Sequence, residues 1–107
     1  MNKTFEVIVK LVGLNQVIIS DHGYDAIVAD NISVREIVSG ITEGAVVEDY
    51  PDFQKGPCVL VLQKDSRGKP IHVVWGIPKG ASSPAILVTA YRPDPKKWSK
   101  DYMRREK

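Results

Sequence analysis

The tightest constraint on this chain comes from three short connections in its second half. Four apolar runs, Ala45–Tyr50, Cys58–Lys64, Ile71–Ile77 and Ala85–Arg92, are joined by Pro51-Asp52-Phe53-Gln54-Lys55-Gly56-Pro57, Asp65-Ser66-Arg67-Gly68-Lys69-Pro70 and Pro78-Lys79-Gly80-Ala81-Ser82-Ser83-Pro84. Gly, Pro, Asp and Ser at these places are the chemistry that turns use. None of the three is long enough for a helical crossover, so neighbouring strands run antiparallel. A four-stranded antiparallel sheet is predicted. Cys58–Leu62 is apolar on both faces, as a central strand requires.

The first 42 or so residues read differently. Residues 4–15 carry apolar positions at helical spacing (Phe5, Ile8, Leu11, Val12) and also at alternating spacing (Phe5, Val7, Val9, Leu11). Length favours the helix. Gln16–Ser20 is a short extended piece, and Ser20 or Asp21 can cap a helix that starts near His22 and breaks at Asn31. Ser33-Val34-Arg35-Glu36 reads as a capping box, in which hydroxyl and carboxylate each take an amide of the first turn. Ile32, Val34, Ile37, Val38 and Ile41 give that next helix its apolar face, and Gly40 and Gly44 bracket its end. The fold class is therefore α+β, with N-terminal helices covering one face of the sheet. Pro93 and Pro95 stop the last strand, and Trp98–Arg105 is expected to add a helical turn or two.

With 107 residues the chain suits one domain spanning 1–107. A chain of this size buries roughly two-thirds of its unfolded surface, so it can fold without disulfide or metal. The composition, 43% hydrophobic and 26% charged, excludes a disordered chain. Cys58 is the one cysteine and reads as a small buried hydrophobe. No apolar run approaches the roughly 20 residues that span a bilayer. Glu6 and Lys10 interrupt the N-terminal apolar segment, which argues against a signal peptide and for a cytoplasmic location. Residues 92–107 hold seven basic against three acidic residues, a net +4 on a mildly acidic body. A basic C-terminal segment at about 93–107 suits a polyanion such as RNA, or simply keeps the chain soluble.

No metal-ligand pattern is present, because His22, His72 and Cys58 do not make a spaced set, and no phosphate-binding glycine loop or nucleophile elbow occurs. No cofactor is expected. Side chains suited to acid–base work remain. His22 sits at a helix start, with Asp25 three residues on to orient it. His72 alternates with Val74 and Gly76 on one strand face, opposite the core-facing Ile71, Val73, Trp75 and Ile77. That places His72 where a substrate can reach it, or makes it an ordinary cross-strand polar residue. Tyr91 and Arg92 end the last strand and point to opposite faces, and Lys79 and Lys55 lie in Gly/Pro loops that can close over a site. Trp75 and Trp98 read as core anchors. Metal-free RNA cleavage needs a base, an acid and a cation, and these residue types supply all three.

Four segments carry a family resemblance: Ser20-Asp21-His22-Gly23, Gly56-Pro57-Cys58-Val59-Leu60-Val61-Leu62, Pro70-Ile71-His72-Val73-Val74-Trp75-Gly76-Ile77 and Val88-Thr89-Ala90-Tyr91-Arg92-Pro93-Asp94-Pro95. In order and spacing they resemble the bacterial DUF4258 family over residues 18 to about 98. The resemblance implies a RelE-like, barnase-like ribonuclease fold and a toxin, similar to MqsR-like toxins, paired with a small zinc-finger antitoxin. It implies catalytic roles for His22, His72 and Tyr91; Lys79, Arg92, Lys55 and Asp25 are the substrate-binding candidates that the residues themselves offer. Many relatives carry arginines four and eight residues after the first histidine, where this chain has Ala26 and Asp30. The alternative is a non-catalytic RNA- or protein-binding module on the same fold.

Overall fold

A computed structural model describes residues 2–106. Helix α1 (Lys3–Gly13) starts where the Asn2 side chain accepts a hydrogen bond from the Phe5 amide at 2.8 Å. That cap satisfies one of the amides a helix leaves free at its start. Phe5, Ile8, Leu11 and Val12 are its buried residues, so the helical period prevails over the alternating one. Strand β1 (Val17–Ile19) follows, then α2 (Asp21–Ala29), α3 (Val34–Gly40) and a 3-10 turn over Ile41–Glu43. Ser33 Oγ accepts from the Glu36 amide at 3.3 Å, but only this half of the expected capping box forms. The Glu36 carboxylate instead accepts from the Ser66 amide in the turn between the second pair of sheet strands.

The remaining strands are β2 (Ala45–Tyr50), β3 (Cys58–Lys64), β4 (Pro70–Gly76) and β5 (Ala85–Tyr91). They pair antiparallel in sequence order, as their short connections require. The sheet nevertheless has five strands, in the order β1-β5-β4-β3-β2. The extended piece at Val17–Ile19 is a strand, running parallel to β5 with Val17 opposite Ala85 and Ile19 opposite Leu87. This corrects the expectation of a purely antiparallel four-stranded sheet. Parallel pairing needs a long crossover, and everything from α2 to β4 supplies it.

The helices cover one face. Val59, Val61, Ile71, Val73, Trp75 and Leu87 meet Phe5, Ile8, Ile27, Ile37 and Ile41 there. Gln63 is the polar member of this layer, and both ends of its amide have a partner. It accepts from Trp75 Nε1 at 2.9 Å and donates to the Ile37 carbonyl at 2.7 Å. Two bulges adjust the sheet. In β5, Thr89 pairs with Val74 and Leu87 with Trp75, which leaves Val88 as the extra residue. The bulge shifts the alternation, so that Leu87 and Ala90 both point to the core although three residues apart.

Residues 98–105 form no helix. An isolated bridge joins Trp98 and Arg105, and the Ser99 amide donates to the Arg104 carbonyl at 2.7 Å. Ser99 and Asp101 explain the departure. Ser99 Oγ accepts from the Arg104 amide, and Asp101 accepts from Ser99 Oγ and the Met103 amide. Short polar side chains that capture nearby amides compete with a helix in this way. Tyr102, at φ 62°, completes the reversal.

Candidate functional site

The sheet face turned away from the helices divides in two. One half is an open groove of about 590 Å³. Its floor is apolar and comes from three strands: Cys58, Val74, Gly76, Ile86 and Val88. Tyr50, Phe53 and Lys55 close one side, and Ser20 and His22 the other. Tyr50 and Phe53 are 39% and 53% exposed, so two aromatic rings stand partly open to solvent at this groove.

The block Ser20-Asp21-His22-Gly23 has a physical reading here. Ser20 Oγ accepts from the Gly23 amide at 2.9 Å and donates to the Val88 carbonyl at 2.7 Å. It therefore caps α2 and ties that cap to the β5 bulge. Gly23 lets the helix approach so closely, because a Cβ there would lie 2.8 Å from both the Leu87 and Val88 carbonyl oxygens. His22, between them, is delivered to the groove. Across the groove, Gly56 sits at φ 127°, where a Cβ would fall 2.0 Å from the Ile77 carbonyl oxygen. Its flanks extend the β3–β4 ladder, with the Ile77 amide on the Pro57 carbonyl and the Lys79 amide on the Lys55 carbonyl at 2.9 Å. Lys55 thus borders the groove, whereas Lys79 opposes it on an exposed loop outside the groove lining. No hydrogen bond joins His22 to Asp25 among the described residues. Asp25 is an exposed residue of α2 and does not line the groove.

The other half of this face is covered. His72 lies on the expected face, opposite Leu62 and Tyr91 in the ladders, but its exposure is 0%. The expectation that a substrate reaches it directly is corrected by the C-terminal hairpin, which folds over it. The Trp98 ring stands edge-on to the imidazole with centroids 4.4 Å apart, and the Tyr91 ring at 5.4 Å. His72 Nε2 lies 2.9 Å from the Tyr102 carbonyl oxygen and Nδ1 lies 3.2 Å from the Tyr91 hydroxyl. A carbonyl only accepts, so Nε2 carries the proton, and in the neutral ring Nδ1 accepts from Tyr91. Burial holds the His72 pKa below the ordinary histidine value, against the opposing pull of the Tyr102 carbonyl and Glu48. Burial likewise raises that of Tyr91.

Beside this pair runs a chain of polar groups on β2. Arg105 donates to both Glu48 oxygens, at 2.8 and 3.0 Å, and Tyr50 donates to the same carboxylate. The Arg105 guanidinium also stands 4.8 Å over the Trp98 ring. The bond from Arg105 holds Glu48 below the usual carboxylate range, and the bond to Glu48 raises the Tyr50 pKa. Tyr50 belongs to both halves, since it lines the groove as well. Arg92, expected at phosphate, is occupied elsewhere: its guanidinium pairs with Asp65 at 2.9 Å, and its amide donates to Asp30 at 2.9 Å. Asp30 therefore serves the end of β5 at a position where the resemblance implies an arginine.

Sequence reasoning missed Ser20 as a tether, and it missed Glu48, Tyr50, Phe53, Trp98 and Arg105 as members of this surface. Glu48 and Tyr50 share a face of β2 by simple alternation, and that signal was readable. The Trp98 and Arg105 contacts depend on a fold-back that no local pattern announces. Among the described residues, no three His, Cys, Asp or Glu side chains group to hold a metal ion, and no helix is long and apolar enough to cross a membrane.

Neither a search of curated proteins nor one of solved structures gives a significant match. A family model does match, over residues 19–92, a span that runs from the end of β1 to the residue after β5. The chain belongs to that family, described as a domain of unknown function, DUF4258.

Proposed function

We propose that the chain is a metal-independent endoribonuclease of the RelE-like, barnase-like kind, acting on unpaired RNA in the open groove. The observation that carries this reading is the shared groove of His22, Lys55 and the part-exposed rings of Tyr50 and Phe53. Unpaired bases stack on aromatic side chains, and a neighbouring cation holds the backbone phosphate. His22 is the exposed imidazole and takes the acid–base role, removing the 2′-hydroxyl proton or protonating the leaving 5′-oxygen. Lys55 offsets the charge of the phosphorane. His72 lies under the hairpin with the Tyr91 hydroxyl bonded to it, and the pair acts only when the hairpin moves. The resemblance further suggests a toxin held in check by a small zinc-finger antitoxin.

A second reading has its own support. His72 has no exposure and Arg92 is spent on Asp65, which favours a module that binds RNA without cutting it. Purified protein incubated with a panel of RNAs in EDTA separates the two. Cleavage that is lost in His22→Ala supports the ribonuclease. If the folded wild type leaves every RNA intact while binding it in a salt-sensitive manner, the binding module replaces it.

A further inference from the structure

The hairpin over His72 covers the wrong half of the sheet for a cover driven by apolar burial. Val74, Ile86 and Val88 line an open groove, whereas the His72 imidazole, bonded to the part-buried Tyr91 hydroxyl, lies beneath Trp98 and Tyr102. Burial of apolar surface alone would favour the reverse. The hairpin's backbone bonds are largely its own: Ser99 to Arg104, Tyr102 to Ser99 and Glu106 to Lys97. It is tied to the sheet by the Tyr102 carbonyl on His72, by the Trp98 ring and by the Arg105 fork on Glu48. The residue whose carbonyl meets His72 is Tyr102, in a left-handed conformation that a side chain rarely adopts.

The latch is polar and partly open to solvent, with the Arg105 side chain 63% and the Glu48 side chain 25% exposed. Glu48 offers Arg105 two oxygens in the planar arrangement that a phosphodiester also offers. Tyr50, bonded to the same carboxylate, lines the groove next door. Lys97, Lys100 and Arg104 are exposed on the hairpin and draw a polyanion to it. We propose that residues 98–106 form a lid latched by Glu48 and Arg105, and that an RNA phosphodiester competing for Arg105 opens it over His72 and Tyr91. The ligand in this proposal rests on the RNA reading above; the lid itself does not.

The test follows His72 by its reaction with diethyl pyrocarbonate, with exposed His22 as internal reference, and follows the amides by hydrogen exchange. In Glu48→Gln and Arg105→Ala, His72 is expected to react about five times faster than in the wild type, the Boltzmann factor of an ion pair this exposed. The Ser99, Tyr102 and Glu106 amides should exchange faster, and those of β3 and β4 should not. In the wild type, a single-stranded 2′-O-methyl oligonucleotide, which resists cleavage, is expected to loosen the same three amides. The lid is refuted if His72 stays as slow in both variants as in the wild type, or if the β3 and β4 amides lose protection together with the hairpin. Opening by phosphodiester is refuted if the oligonucleotide leaves the hairpin's exchange unchanged or slows it. A lid that opens in the variants while no RNA is cut supports the latch and removes the ribonuclease reading.

Discussion

Acidification should destabilise this protein through His72 in particular. The neutral imidazole satisfies both neighbours, with Nε2–H on the Tyr102 carbonyl and Nδ1 receiving the Tyr91 hydroxyl. A second proton puts a positive charge inside a site with 0% exposure, a burial cost that remains even when the Tyr91 hydroxyl turns to accept from Nδ1–H. Burial accordingly lowers its pKa in the folded state. In the unfolded chain the imidazole titrates near its ordinary 6.5. For a depressed folded pKa, the unfolded state binds the extra proton as pH falls below 6.5, so stability is full above that value and declines beneath it. One pH unit below the unfolded pKa the loss from this one group is at most about 1.4 kcal/mol, the limit for an imidazole that takes up no proton in the fold. Urea unfolding at pH 7.5, 6.5 and 5.5, with His72→Gln as the comparison, measures it. The wild type should lose more than the variant over this range, by up to that amount. Parallel curves for the two proteins, or a wild type that gains stability on acidification, would refute the reasoning.

Other outcomes follow from the same contacts. Gly23→Ala forces a Cβ against two carbonyl oxygens at 2.8 Å and should cost about 1–3 kcal/mol by thermal or urea unfolding. Gln63→Leu leaves the Trp75 indole N–H and the Ile37 carbonyl without their partner, and the expected loss is about 2–4 kcal/mol. Lys55→Ala should reduce the slope of log affinity for RNA against log salt by about one, the signature of a single lost phosphate contact. Phe53→Ser should weaken RNA binding by about 1–3 kcal/mol through lost stacking while leaving the melting temperature unchanged, because the ring is half exposed.

Much of the fold was legible because local chemistry and global pairing agree. The double-faced apolar run of β3 announced a central strand, and three turn-rich connections dictated its neighbours. Where the two levels part, the residues showed an extended piece at Gln16–Ser20 but not its pairing. Val17–Ile19 is too short to show a period, and its partner lies 68 residues away along the chain, at Ala85–Leu87. The β5 bulge breaks the alternation that would otherwise give each side chain's face, although Tyr91 and His72 still meet. His72 was assigned to the correct face but to the wrong environment, because alternation gives direction and says nothing of what folds over it. Trp98 was read as an anchor, and it is buried; its neighbours Ser99 and Asp101 turned the expected helix into a hairpin. Arg92 and Asp25 illustrate the converse. Both are chemically able, and both are placed where the groove does not use them.

The most direct test of the groove as an RNA site is an NMR titration of the 15N-labelled protein with a short single-stranded 2′-O-methyl RNA. The account predicts shifts at His22, Tyr50, Phe53, Lys55 and Val88, followed by the hairpin amides, with the exposed faces of α1 and α3 silent. Saturable shifts confined to the helical surface, or no shifts while the fold stays intact, would contradict it.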